Sequence, residues 1–333
     1  MKKRFLAFIM AVLLMLVSLV GCGDSKTSSN DLEEFSIVLD WYPNAIHSFI
    51  YNAIEKGYYA EEGLDVKVYF PSNVNDAISL PAVGKADVGI YYPNDVIRGV
   101  ANEDIPVKIV GNVAQSSLNI LSSLKSKNIV SPEDLKGKII GYSGNEFDEI
   151  LVKTMLENVG LSTNDVELID VGFDLMTAMT TERVDATIGC MVNHEIPSME
   201  EQGFEMNYFF PAEYGAPEYP ELVFVAGDKL IEENRDKLER FLRASKKGFE
   251  DMKNNPDESI KILMENQNAE NFPLTESVEK ESVEVLLPIM ETENLSFLAQ
   301  DMEAWQKDVD WLKSEGLIDR DLSVSDFAVE IIK

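Results

Sequence analysis

Apolar and polar positions run along the chain in two rhythms. Short apolar runs rich in Val, Ile and Phe read as strands, and longer stretches with helical spacing read as helices. Phe35-Ser-Ile-Val-Leu39 predicts a strand and Ala45 to Lys56 a helix closed by Gly57. Val66-Lys-Val-Tyr-Phe70 is a strand stopped by Pro71, and Val74 to Val83 a helix ended by Gly84. Ala86-Asp-Val-Gly-Ile90, the helix Asp95 to Ala101 and the strand Val107-Lys-Ile-Val-Gly111 complete a first set. A second set follows Leu118. Ser131-Pro-Glu-Asp134 is a helix-start signal, with a capping Ser, Pro at the first position and an acid three residues on. Then come the strand Lys138-Ile-Ile-Gly141, a helix from Phe147 to Asn158, the strand Val166-Glu-Leu-Ile-Asp170, a helix from Thr177 to Thr181 and the strand Ala186-Thr-Ile-Gly189. Glu221-Leu-Val-Phe-Val-Ala226 is a last strand, followed by helices over 228–252, 256–266, 275–291 and 296–315. Both sets share one order of elements, which implies two α/β lobes with a helical C-terminal region and a ligand cleft between lobes.

The start of the chain follows another pattern. Lys2, Lys3 and Arg4 precede an apolar run from Phe5 to Val20, and Leu19-Val-Gly-Cys22 follows. This is a signal-peptide layout, and the tetrad resembles a bacterial lipobox, which implies lipidation of Cys22. About 16 apolar residues are short for a span of ~20. The expectation is a signal peptide over 1–21, a polar tether over 22–33, and a mature chain held on the outer face of the cell membrane by its acyl chains. Cys190, the only other Cys, ends an apolar run and reads as a small core residue.

Composition narrows the choice of partner. Against 59 Asp+Glu stand 29 Lys+Arg, a formal charge of −30 over 333 residues. Phosphate backbones need a basic face, so nucleic acid is excluded as a partner. Two Cys exclude a disulfide framework, and two His leave little for a His-based metal site. Neither a metal nor another cofactor is expected.

Chemistry gathers at the strand ends. Asp40-Trp-Tyr-Pro-Asn-Ala-Ile-His47 packs an acid, two aromatics, an amide and a His into eight residues. Tyr91-Tyr-Pro-Asn-Asp95, Gly141-Tyr-Ser-Gly-Asn-Glu146 and Met191-Val-Asn-His-Glu195 follow three further strands, and Tyr208 to Gly215 lies where the chain should cross back between lobes. Strand-to-helix turns place ligand groups beside free N–H donors. The residues singled out are Asp40, Trp41, Asn44, His47, Tyr91, Tyr92, Asp95, Tyr142, Gly144, Asn193, Glu195 and Tyr214. Glu146, Asp148 and Glu149 follow Gly144 with no Lys or Arg until Lys153, which disfavours an anionic ligand there.

Five segments carry a resemblance. Leu39-Asp-Trp-Tyr-Pro-Asn44, Glu55-Lys-Gly-Tyr-Tyr-Ala-Glu-Glu-Gly-Leu-Asp65, Gly84-Lys-Ala-Asp-Val-Gly89, Asp134-Leu-Lys-Gly-Lys-Ile-Ile-Gly-Tyr142 and Phe210-Pro-Ala-Glu-Tyr-Gly215 are similar to the NMT1/THI5-like family, over about 35–250. The resemblance implies a type II periplasmic-binding-protein fold, with one lobe from 34–118 and 211–333 and the other from 119–210. It also implies one of two functions. One branch comprises solute-binding lipoproteins of ABC importers for thiamine pyrimidine precursors; the other is a fungal iron-dependent pyrimidine synthase. The synthase carries a Lys and a His after the Gly-Ile strand, and a Cys-rich motif. Here Tyr91 and Asp95 stand at those places and no Cys cluster exists, so the binding branch is the expectation and an enzyme is not.

A 4-aminopyrimidine offers an amine beside ring-nitrogen acceptors. Glu195 and Asp40 suit the amine, Asn44 and Asn193 an amide or formyl group, and Trp41, Tyr91 and Tyr214 the ring faces. About a dozen heavy atoms at roughly −0.7 to −1 kcal/mol each give micromolar to nanomolar affinity. Closure is expected about hinges near Asn119 and Phe210–Gly215, after which the permease and its ATPase take the ligand from a monomeric binding protein. Another flat solute, such as a riboflavin-type compound, fits the aromatic set as an alternative.

Overall fold

The computed structural model describes residues 32–270 and 273–332. The leader, Cys22 and most of the tether lie outside the described residues. Among those described, no helix is long and apolar enough to cross a membrane.

Ten strands form two five-stranded sheets. The first has the order β2-β1-β3-β10-β4, from β1 (Glu33–Val38), β2 (Leu64–Tyr69), β3 (Val88–Tyr91), β4 (Val107–Asn112) and β10 (Val223–Gly227). β1 lies parallel to β2 and β3, and β10 runs antiparallel between β3 and β4. The second has the order β7-β6-β8-β5-β9, from β5 (Asn119–Leu124), β6 (Ile139–Tyr142), β7 (Glu167–Asp170), β8 (Ala186–Met191) and β9 (Met206–Phe209). β6 lies parallel to β7 and β8, and β5 runs antiparallel between β8 and β9. Each sheet thus repeats one plan, three parallel strands plus an antiparallel strand and an edge, as the shared order of elements implies. β5 and β9 carry no strand signal in the sequence: Ser122 and Ser123 interrupt one, and the other has only four residues.

The chain passes between the sheets twice, after β4 and after β9. The two passages are tied side by side. Val113 and Ala114 donate to the Leu222 carbonyl at 2.8 and 3.1 Å. The buried Glu221 carboxylate accepts from the Leu118 and Asn119 amides at 2.5 and 2.8 Å.

Apolar faces of the first sheet pack under the C-terminal helices. Phe35 of β1 stacks on Phe241 at 4.3 Å, and Tyr59 stacks on the same ring at 5.3 Å. The helix Arg235–Asn254 crosses Ser48–Glu55 so closely that a Cβ on Gly248 would stand 2.0 Å from the Phe49 carbonyl oxygen. Only glycine permits that contact. The expected 228–252 helix breaks at Asn234 into Asp228–Glu233 and Arg235–Asn254. The last long helix starts at Met302, not 296, because Asp301 caps it by accepting from the Glu303 and Ala304 amides. The 131–134 signal yields a four-residue 3-10 helix, Pro132–Leu135. Cys190 is fully buried, and burial pushes its thiol up to about 12.

Candidate functional site

The loop after β1 is built around a buried pair. Asn44 caps the 3-10 turn Ala45–His47: its side chain accepts from the Ile46 amide at 3.2 Å, and its own amide donates to His47 Nδ1 at 3.2 Å. The imidazole proton therefore sits on Nε2, which donates to Asp40 Oδ1 at 2.9 Å. His47 is a strut that fixes Asp40 rather than a group on the cleft surface. Trp41 and Tyr42 stay on the rim, where both rings meet Phe173, at 4.4 and 5.4 Å. Phe173 follows β7, so this aromatic contact joins the two sheets' loops.

The other strand ends add polar groups. After β3, the Tyr91 hydroxyl donates to Asn75 Oδ1 at 2.6 Å, and Tyr91 tilts against Tyr92 at 5.4 Å. Asp95 accepts from Arg98 at 3.1 Å and, from across the cleft, from Asn145 at 2.6 Å. Arg98 also pairs with Glu146. The sequence expectation of no cation near the Gly144 loop is thus corrected: the helix Pro93–Glu103 brings Arg98 to it, and two carboxylates neutralise it. After β6, Ser143 and Asn119 donate to Asp148 at 3.4 and 3.0 Å. After β8, the Met191 amide donates to Glu195 at 2.8 Å, and Asn193 donates to Ser282 at 2.9 Å. His194 Nδ1 lies 3.3 Å from Glu195, and its Nε2 3.6 Å from Glu279 of the helix Glu276–Met290.

Titratable groups here are displaced in one direction. Burial pushes Asp95 up to about 6 against the opposing pull of Arg98 and Asn145. Burial, together with the nearby Asp95 charge, pushes Asp148 up to about 7. Burial takes Glu221 to about 7 as well, with Asp148 and Asp40 adding repulsion. For His194, burial favours the neutral ring, but the contact with Glu195 at 3.3 Å and the nearby Glu195 and Glu279 side chains win and raise it to about 10. The ring therefore stays an imidazolium at neutral pH, between the Glu195 and Glu279 side chains.

These groups surround three spaces. An inner cavity with room for little more than one water molecule lies between the sheets, against Tyr92, Asn94, Asn119, Asp148, Tyr219 and Glu221. A wider recess of about 540 Å³ opens beside Trp41, Asn44, Phe173, His194, Leu274 and Glu279. A third recess holds Tyr91, Asp95, Arg98 and Gly144. The inner cavity has no Lys or Arg in its lining, which suits a donor-rich ligand better than an anion.

Of the residues singled out in the sequence, Trp41 and Asn44 reach the wider recess, Tyr92 the inner cavity, and Tyr91, Asp95 and Gly144 the third. Asp40, His47, Asn193 and Glu195 stand behind these walls in hydrogen bonds to the protein. Tyr142 sits beside Glu149, whose hydrogen bond, with burial, pushes its phenol up to about 12. Tyr214 is set apart: it packs edge-on to Phe209 at 5.3 Å and lines none of the three spaces. The expectation that it sandwiches a ring with Trp41 and Tyr91 is not met by this arrangement. The residues singled out in the sequence do not include Asn94, Asn119, Asp148, His194, Glu221 and Glu279, which the structure adds to these walls. Asn94 and His194 lie within strand-end runs that were noticed; Glu279 is buried in a helix with no local signal.

The NMT1/THI5-like family pattern matches residues 44–259. The chain belongs to that family. Within reach of this NMT1/THI5-like chain is a "Formylaminopyrimidine-binding protein" of Halalkalibacterium halodurans, 41% identical over 96% of both chains. A "4-amino-5-hydroxymethyl-2-methylpyrimidine phosphate synthase" of Candida albicans is 28% identical, over 68% of this chain and 69% of that one. In fold, the chain is similar to the alkanesulfonate-binding protein SsuA from Xanthomonas axonopodis pv. citri bound to MOPS, with a TM-score of 0.70 and 14% identity, covering 89% of this chain and 98% of that one. The family's two-lobed α/β binding-protein fold is therefore the fold of this chain.

Proposed function

We propose that the chain is the solute-binding lipoprotein of an ABC importer, which captures a thiamine pyrimidine precursor outside the cell membrane and delivers it for salvage. The observation that carries this reading is the 41% identity, end to end, with a protein named for formylaminopyrimidine binding. The likeness to the synthases is lower and covers less of the chain, and Tyr91 and Asp95 stand where the notional Lys and His of an enzyme would be. Without an amine there, no Schiff base forms at that strand end.

The site supports a neutral or cationic, donor-bearing ligand. Asp148, Glu221 and Asn94 face the inner cavity, where an anion would meet carboxyl groups. Trp41, Phe173 and Tyr92 offer ring faces. In this reading 34–118 with 211–333 forms one lobe and 119–210 the other, and the tied passages around Glu221 act as the hinge. Ligand bridges the lobes and stabilises the closed form by its differential affinity. Cys22 carries the lipid anchor, and permease and ATPase complete the system.

Calorimetry tests the substrate. The lipid-free chain, stripped of ligand by unfolding and refolding, is titrated with formylaminopyrimidine, hydroxymethylpyrimidine, thiamine, riboflavin and taurine. Submicromolar binding of a pyrimidine alone supports the reading; tight binding of riboflavin or taurine with no heat from either pyrimidine overturns it. Palmitate labelling of the expressed chain, lost in Cys22→Ser, tests the anchor.

A further inference from the structure

Asn94 occupies the first turn of the helix Pro93–Glu103, directly after β3. A buried side-chain amide ordinarily finds hydrogen-bond partners. Here it does not. The residue is 1% exposed, and neither Nδ2 nor Oδ1 has a hydrogen-bond partner. Among the described residues no other side-chain amide has both atoms buried and unpaired. A buried polar atom without a partner is costly to the fold, so a doubly unpaired amide calls for an explanation. It lines the inner cavity between the sheets, as do Asp148 and Glu221.

We propose that Asn94 reads the amino edge of the ligand, its Nδ2 donating to a ring nitrogen while its Oδ1 accepts from the exocyclic amine beside that nitrogen. This inference rests on the pyrimidine reading above and names the residue that makes it selective. The pairing is the one a side-chain amide makes with adenine, whose ring nitrogen and amine stand in the same relation. The cavity is the size of one amino group, and its lining includes the Asp148 and Glu221 carboxyl groups with Tyr92, Tyr219, Ser143 and Asn145; Ser143 donates to Asp148, and Asn145 donates to Asp95 and accepts from the Phe147 amide. Asn119 is already committed, donating to Asp148 and accepting from the Gly189 amide at 3.0 Å. Asn94 is left as the one amide on this wall with both atoms to offer.

The test is a cycle between residue and ligand. Wild type and Asn94→Leu are each titrated calorimetrically with 4-amino-5-hydroxymethyl-2-methylpyrimidine and with its analogue lacking the 4-amino group. The proposal expects Asn94→Leu to weaken the amino ligand about 10- to 100-fold and the deamino analogue only a few-fold. It also expects the ligand-free variant to melt higher than wild type, because two unpaired buried polar atoms are gone. Equal losses for both ligands, no loss for either, or a variant that melts lower or fails to fold overturn the proposal, the last because it shows the amide to be structural. Wild type that binds neither pyrimidine sinks the proposed function and this inference together; tight wild-type binding that survives Asn94→Leu sinks this inference alone.

Discussion

Replacing His194 by Gln tests the charged bridge between the end of β8 and the helix Glu276–Met290. Glu279 is fully buried, and its Oε2 accepts from the Ala45 amide at 2.7 Å. Its Oε1 has no hydrogen-bond partner and depends on the imidazolium 3.6 Å away. The ring's displacement from 6.5 to about 10, at about 1.4 kcal/mol per pH unit, puts the bridge at a few kcal/mol. Loss of one partner of a buried pair costs about 3 kcal/mol at the lower end. For a chain of this size that lowers Tm by about 5 °C. The pH dependence carries the sign. A ring whose folded pKa is raised stabilises fully below about 6.5, and that contribution disappears as pH rises through about 10. Scanning fluorimetry at pH 6.5 and pH 10.5 is the assay. His194→Gln should melt well below wild type at pH 6.5 and close to it at pH 10.5. His194→Gln with Glu279→Gln should recover part of the loss, since Glu195, the other carboxylate facing the ring, keeps its hydrogen bond from the Met191 amide. Equal melting at pH 6.5, or a deficit undiminished at pH 10.5, would refute the reasoning.

Three further outcomes follow from the same geometry. Asp148, displaced upward from 3.8 to about 7, makes the ligand-free fold lose stability as pH rises from about 4 to about 7; Asp148→Asn should flatten the slope of Tm over that window, and an unchanged slope contradicts the assignment. Gly189 has φ +98°, and a Cβ there would stand 2.9 Å from Asp148 Oδ2; Gly189→Ala should cost about 1–3 kcal/mol in urea unfolding, and a neutral result would show the cleft wall to be more yielding than drawn. Trp41→Ala removes one ring face and its contact with Phe173; pyrimidine affinity should fall roughly 2- to 10-fold, with calorimetry as the check.

The fold was legible where hydrophobic rhythm alone decides. β1, β2, β3, β4, β6, β7, β8 and β10 all show it, and Gly57, Gly84 and Gly160 mark ends of helices or turns. β5 and β9 were hidden because their backbone pairs across the sheet without a continuous apolar face. The site was legible only in outline. Asp40, Trp41 and Tyr92 stand out as unusual residue types at strand ends; the structure places Trp41 at the wider recess, Tyr92 at the inner cavity and Asp40 behind the walls. Glu221 and Glu279 became visible only when distant segments met: one ties the two passages between sheets, and the other reaches His194 from a C-terminal helix. Asn94 carries no distinguishing signal in the sequence, because what sets it apart is the absence of partners, a property of three-dimensional packing.

The most direct test of the central claim is a crystal structure of the lipid-free chain with formylaminopyrimidine. The account predicts the ring between the two sheets, faced by Trp41 and Tyr92, with its amino edge on Asn94. Ligand density elsewhere on the molecule, or an empty cleft at saturating ligand, would contradict it.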